Sequence, residues 1–231
     1  MARWPVAALL LCSAVAAVVF RQAPEPAAPR DRVVPVEGPA PEPLAAVAFG
    51  TSLTARARWP ATLGPGLARC GFRDISVTVR ARPGAGSAEG LALVGSEGAG
   101  PYQLAFVEFA MNDADLLDGV SRRRSLDNTR AIVRAIRAGH PGIAVVLVTT
   151  NPVAGLQRLK RPRLMGYDDL YLRLAEEEGV SLFDGTARWA GVNRAVALPD
   201  GLHPEPTIEA ALYTGPLSRL IAAIFGRTCA D

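Results

Sequence analysis

Short apolar runs alternate with longer segments of helical periodicity from residue 44 to 226, and this alternation limits the fold more than any other feature. Leu44–Phe49 is apolar and ends at Gly50. Ile75–Val79 is β-branched and alternating, Leu104–Phe109 apolar and aromatic, Ile143–Thr149 a continuous run rich in β-branched residues, and Val180–Phe183 is the last such run. Between them Trp59–Arg69, Ser87–Val94, Ser125–Ala138, Arg163–Glu178 and Thr207–Phe225 read as helices. In Ser125–Ala138 the apolar residues Leu126, Ile132, Val133 and Ile136 fall at helical spacing, and Gly71, Gly139, Gly179 and Gly226 stand as stop signals. Strands alternating with helices connect as βαβ crossovers, giving a parallel sheet covered on both faces. The expectation is an α/β chain: a three-layer α/β/α sandwich on a five-stranded parallel sheet, with its site at the C-terminal ends of the strands.

The rest of the chain is extra to that domain. Of 231 residues, 49% are hydrophobic, enough for one domain plus additional segments. With 25 basic and 22 acidic residues the net charge is only +3, which argues against a nucleic-acid partner. Val6–Phe20 is an apolar run broken only by Ser13, with Arg3 before it. At about 1.5 Å per residue it spans about 22 Å, short of the roughly 30 Å hydrocarbon core. Residues 1–20 therefore read as a signal peptide, with an uncleaved signal anchor as the alternative. Either implies export to the periplasm or beyond, with a membrane tether through residues 6–20 if the signal is kept. Ala14-Val15-Ala16 is the candidate cleavage motif, and Leu11 before Cys12 is bulky where a lipoprotein box has a small residue. Residues 21–43 hold seven prolines (Pro24, Pro26, Pro29, Pro35, Pro39, Pro41, Pro43) and read as an extended spacer. The globular domain is placed at 44–231.

Four short segments carry the chemistry. Gly50-Thr51-Ser52-Leu53-Thr54 follows the first strand and puts Ser52 at the site edge of the sheet; it is not the G-x-S-x-G elbow, since Thr54 takes the second glycine's place. Pro83-Gly84-Ala85-Gly86-Ser87 follows the second strand, where Gly84 can present a bare N–H. Glu108-Phe109-Ala110-Met111-Asn112-Asp113 ends the third strand, where an Asn amide is a ready oxyanion donor. Asp200-Gly201-Leu202-His203 precedes the last helix, and the three-residue spacing lets Asp200 reach Nδ1 of His203 and leave Nε2 as a base. The only other histidine, His140, lies in a turn before the fourth strand, at the opposite end of the sheet. One useful histidine without nearby cysteines gives too few ligands for a metal. No Gly-rich phosphate loop follows the first strand, which weighs against a nucleotide binder.

This set, in this order, resembles the SGNH (GDSL-like) hydrolase family over nearly all of residues 45–231. The resemblance implies a flavodoxin-like sheet and no cofactor. It implies Ser52 as nucleophile, Asp200 and His203 as its partners, and an oxyanion hole formed by Ser52, Gly84 and Asn112. Two positions depart from the family pattern: Thr51 stands where the GDS motif has Asp, and Ala110-Met111 replaces Gly-x before Asn-Asp. In a flavodoxin-like order the first and last helices lie side by side and run the same way, so Cys70 and Cys229 at their ends would come together, either as a disulfide or as one buried thiol and one terminal one. Arg122, Arg123 and Arg124 after the third strand, and Arg158, Lys160, Arg161 and Arg163 after the fourth, are expected to form a basic rim for an anionic substrate or simply a solvated surface. The function read from all this is an exported serine esterase acting on O-acetyl or other short-chain esters, as on envelope carbohydrate. The alternatives are an O-acyltransferase with the same site, a lysophospholipase or thioesterase, and a non-catalytic envelope-binding module. The sequence leaves the oligomeric state open.

Overall fold

The computed structural model describes residues 28–97 and 100–230. The signal segment, its Cys12 and the first part of the proline-rich stretch lie outside the described residues. The elements are β1 (Leu44–Gly50), α1 (Ser52–Arg56), α2 (Trp59–Ala68), β2 (Ile75–Ala81), α3 (Ser87–Glu97), β3 (Leu104–Glu108) and α4 (Ala110–Asp113). They continue with α5 (Arg122–Gly139), β4 (Ala144–Thr149), α6 (Leu156–Lys160), α7 (Leu164–Glu177), β5 (Ser181–Asp184), a 3-10 turn (Thr186–Trp189), α8 (Arg194–Ala197) and α9 (Pro206–Ile224). All five strands run parallel in the order β2-β1-β3-β4-β5. The expected three-layer α/β/α architecture is the one observed.

Strand alternation divides the core in two. Val47, Phe49, Ala105, Val107, Val145 and Leu147 face one side and pack under Ile132 and Ile136 of α5 and Leu170 and Leu174 of α7. Ala46, Ala48, Phe106, Val146 and Val148 face the other, beneath Trp59, Leu63 and Leu67 of α2 and Tyr213, Leu217 and Ile221 of α9. Both faces are covered, which is why the strands read as nearly continuous apolar runs. On the second side α2 and α9 run together: Thr62 bonds Thr214 at 2.6 Å, and Cys70 and Cys229 form a disulfide with S–S of 2.07 Å. The bridge joins positions 159 residues apart, and closing so long a loop removes much unfolded-chain entropy.

The proline-rich stretch is not all spacer. Arg32 pairs antiparallel with Leu182 through two backbone bonds of 3.0 and 2.9 Å. Val34 N–H donates to Ser181 Oγ at 2.9 Å, and Val36 N–H to the Ile224 carbonyl at 2.9 Å. Arg30 reaches the buried Asp184 (Nε to Oδ2, 3.0 Å), and Asp31 pairs with Arg188 at 2.6 Å. Residues 30–36 thus cover the free edge of β5, whose open N–H and C=O groups would otherwise await a partner. The prolines that suggested an extended chain do not exclude this, because Pro29 and Pro35 flank the bonded positions rather than occupy them. No helix among the described residues is long and apolar enough to cross a membrane.

Candidate active site

The order of the sheet reverses between β1 and β3, so their C-terminal ends open a crevice. Ser52 follows β1 as the first residue of α1. Thr51 caps this helix, its Oγ1 accepting the Leu53 N–H at 3.1 Å. First-turn N–H groups have no carbonyl partner within a helix, so the Ser52 turn presents donors at the crevice.

Ser52 Oγ lies 2.9 Å from His203 Nε2, and His203 Nδ1 lies 2.6 Å from Asp200 Oδ2. Asp200 also shapes the turn that carries the histidine. Its Oδ1 accepts the N–H of Leu202 at 2.9 Å and of His203 at 2.7 Å, an Asx-type turn. Burial works against ionisation of Asp200. The hydrogen bonds from the His203 ring and from those two N–H groups outweigh it and hold the carboxyl down at about 2. With Asp200 ionised, the proton on the ring is assigned to Nδ1, and Nε2 becomes the acceptor for the Ser52 hydroxyl.

Gly84 and Asn112 line one cavity of about 210 Å³ with Gly86, Glu89, Asp113 and Asp118. Gly84 adopts φ of +80°, a conformation a side chain resists. Asn112 Nδ2 donates to the Ala85 carbonyl at 2.9 Å, which fixes the amide and ties the second and third segments together. Asn112 sits on the short helix α4 rather than on the strand end itself.

Beneath the serine lies a residue to which the sequence reading gave no role. Glu108, the last residue of β3, is buried, and its Oε2 accepts three hydrogen bonds. They come from Thr51 N–H (3.1 Å), Thr51 Oγ1–H (2.8 Å) and Thr54 Oγ1–H (2.9 Å). Its Oε1 has no partner. Burial, with the Asp113 charge adding to it, pushes this carboxyl up to about 7 against those bonds. Gly50 is needed for the close approach, since a Cβ there would stand 2.0 Å from Thr54 Oγ1. The departure at position 51 now has a physical reason. Thr51 donates to Glu108, whereas an Asp would set a second carboxylate against it. A lone Glu inside the apolar run Leu104–Phe109 was the available signal.

The basic rim is not assembled as expected. Arg161 is buried, 3.0 Å from Asp115, with its Nε donating to the Met111 carbonyl at 2.9 Å. It stitches α6 to α4 instead of facing substrate. Arg122, Arg123 and Arg124 open α5, capped by Ser121. Arg122 and Arg123 line a groove between α5 and α7 with Asp127 and Arg130, and neither lines the cavity that holds Gly84 and Asn112. Arg158, Lys160 and Arg163 are exposed around α6. Among the described residues no cluster of three or more metal-ligating side chains is present.

Residues 48–211 match the model of the GDSL-like Lipase/Acylhydrolase family. No curated protein sequence matches the chain. Solved structures with the same fold include the lipase/acylhydrolase from Enterococcus faecalis, 18% identical, with a TM-score of 0.67 over 81% of this chain and 99% of that one. Axe2, an acetylxylan esterase from Geobacillus stearothermophilus, is 17% identical, with a TM-score of 0.65 over 84% and 97%. Est24, a carbohydrate acetylesterase from Sinorhizobium meliloti, is 16% identical, with a TM-score of 0.59 over 79% and 100%. The family match spans most of the domain and all four chemical segments, and so this chain belongs to the GDSL-like lipase/acylhydrolase family of carboxylic ester hydrolases.

Proposed function

We propose that the protein is an exported serine esterase that removes short acyl groups, acetyl foremost, from hydroxyl-rich alcohols such as envelope carbohydrate. The observation that carries the reading is the unbroken relay from Ser52 Oγ through both nitrogens of His203 to Asp200, at 2.9 and 2.6 Å. His203 Nε2 takes the hydroxyl proton as Ser52 Oγ bonds to the ester carbonyl carbon. Asp200 orients the ring and stabilises its charged form. The N–H groups of Ser52 and Gly84 and the Asn112 amide hold the oxyanion. The tetrahedral adduct collapses, breaking the bond to the alcohol oxygen, and that oxygen leaves with the proton from His203. Water, deprotonated by the same imidazole, then releases the acid and restores Ser52.

The cavity beside the oxyanion donors favours a neutral, hydroxyl-bearing alcohol. Its wall carries Glu89, Asp113 and Asp118, while Arg161 is already paired with Asp115. Carboxylates bond sugar hydroxyls and repel phosphate or uronate groups. The carbohydrate acetylesterase named above shares the fold, and the apolar segment before residue 21 favours export.

Hydrolysis of p-nitrophenyl acetate by the full chain, beside Ser52→Ala, tests the nucleophile. Activity is expected in the first and only background in the second, a loss of at least about 10³-fold in kcat. Equal rates would remove Ser52 from the chemistry. Adding a sugar acceptor distinguishes water from a hydroxyl as the second nucleophile: an acylated sugar formed faster than acetate would mark a transferase.

A further inference from the structure

Helix α6 (Leu156–Lys160) buries none of its side chains. It adds nothing to either core, yet it is clamped in place. Arg161 at its end pairs with Asp115, the Leu116 N–H donates to the Lys160 carbonyl at 2.9 Å, and the Ala154 N–H donates to the Gly201 carbonyl at 2.8 Å. Those bonds fix α6 beside the Asp200–His203 turn and beside the loop after α4. The fixed surface is apolar. Leu116, Leu117, Leu156 and Leu159 are 51, 80, 78 and 55% exposed, four of the seven large apolar side chains exposed among the described residues. Leu156 and Leu159 are three apart and share one face of the helix. Folding gains nothing from leucines held in water, so such a patch marks an interaction surface.

The charge around the patch identifies what covers it. Residues 151–167 contain no Asp or Glu; beside Leu116 and Leu117, Asp115 is neutralised by Arg161 and Asp118 is the one exposed acid, on the side of the cavity. Arg158, Lys160 and Arg163 are exposed between and beside the leucines, while Arg161 is turned inward. Leucines interleaved with exposed cations suit the boundary of an anionic bilayer, where the apolar side chains enter the acyl region and the cations meet phosphate. The course of the chain points the same way. Residues 30–36 run antiparallel to β5, and Arg30 meets Asp184, the last residue of that strand. Arg30, near the start of the described chain, therefore lies at the same edge of the sheet as Ser52 and α6. Nine residues lie between the apolar run Val6–Phe20 and Arg30, a reach of about 33 Å when extended.

We propose that Leu116, Leu117, Leu156 and Leu159, ringed by Arg158, Lys160 and Arg163, dock the site edge of the sheet onto the surface of an anionic lipid bilayer. The surface presents the Ser52 crevice to whatever lies at the membrane face. In a chain that keeps residues 1–20 it works with the tether, and in a cleaved chain it replaces the tether. It does not depend on the esterase reading, because docking is measured without turnover.

The test places an environment-sensitive fluorophore on the full chain in a Cys12→Ser background, at Leu159→Cys or at Ala138→Cys. Ala138 is exposed near the end of α5, at the opposite edge of the sheet. With phosphatidylglycerol-containing vesicles the probe at 159 is expected to shift to the blue and brighten several-fold, and the probe at 138 to stay in water. Lys160→Gln and Arg163→Gln are each expected to lower the bound fraction's apparent partition constant about fivefold. Leu156→Ser is expected to lower it about tenfold or more. Because these side chains are exposed, the variants should keep the parent's thermal midpoint, so the readout does not rest on a fold defect. A probe at 159 that stays in water, an equal response to purely neutral vesicles, or an equal response at 138 overturns the proposal. So does a blue shift that grows with protein concentration in the absence of lipid, which would assign the face to a second copy of the chain.

Discussion

Two carboxylates serve one serine, from opposite sides and in opposite electrical states. Asp200 stands in a solvent-facing turn, accepts hydrogen bonds on both oxygens, and is held down at about 2. Glu108 lies beneath the serine turn in the core, accepts on one oxygen only, and is pushed up to about 7. Both receive several donors, so counting hydrogen bonds does not separate them. Access to water does: charge is cheap at the surface turn and costly under the sheet. The difference assigns the work. A permanent anion at Asp200 can stabilise an imidazolium as it forms, whereas Glu108 holds Thr51 and Thr54 on either side of Ser52.

The largest expected effect breaks the first half of that contrast. Asp200→Asn keeps an oxygen for the Leu202 and His203 N–H groups, so the turn should stay folded. It removes the anion and offers the ring an amide instead. By analogy with other triads, kcat on an activated ester should fall about 10³–10⁴-fold with the thermal midpoint nearly unchanged. A fall below tenfold would mean that the turn, not the charge, is what His203 needs. Removing Asn112 as Asn112→Ala should cost about 10²–10³ in kcat, mostly without a change in KM, because the oxyanion exists only in the transition state.

Glu108→Ala should act the other way round. It strands the Thr51 N–H and two hydroxyls in a buried site, at about 1–3 kcal/mol for each donor left unpaired, offset by the desolvation of the lost carboxylate. The net is expected near 3 kcal/mol by urea denaturation. The kcat loss should be smaller than that of Asp200→Asn, since no reacting group is touched. A stable variant that is as inactive as Asp200→Asn would move Glu108 into the chemistry.

The contrast also separates what the sequence disclosed from what it concealed. The strands were legible because a doubly covered sheet leaves runs such as Ile143–Thr149 almost wholly apolar. The Ser52, Gly84, Asn112 and His203 segments stood out because each lies past a strand at the same edge, and two parallel helices brought Cys70 and Cys229 together while leaving their bond open. Concealed were the features that tertiary contacts create. Glu108 and Arg161 read as polar residues and are buried by partners more than 45 residues away. The short helices α1, α4 and α6 are too brief to show a period, and α6 exists through its clamps alone. The docking of residues 30–36 on β5 was hidden under a composition that usually signals a spacer.

The smallest effect is the sharpest test of the electrical difference. Glu108→Gln keeps an oxygen for the three donors and removes the titrating proton. In the parent, the folded value near 7 lies above the ordinary 4.5, so the folded chain holds a proton that the unfolded chain has released between those values. Stability must then fall as pH rises through that window, by up to about 1.4 kcal/mol per pH unit from this group. Glu209, pushed up to about 7 where it accepts from the Arg58 N–H, and Asp168, pushed up to about 8, act in the same direction and remain in the variant. Asp200 acts oppositely and at more acid pH: its contribution is present above its ordinary value and lost as pH falls toward 2. Urea midpoints at pH 5, 6, 7 and 8 should therefore decline less steeply in the variant than in the parent, with the difference growing between pH 5 and 7 and constant above. Parallel profiles would mean that Glu108 is ionised throughout, and the two carboxylates would differ in position but not in charge.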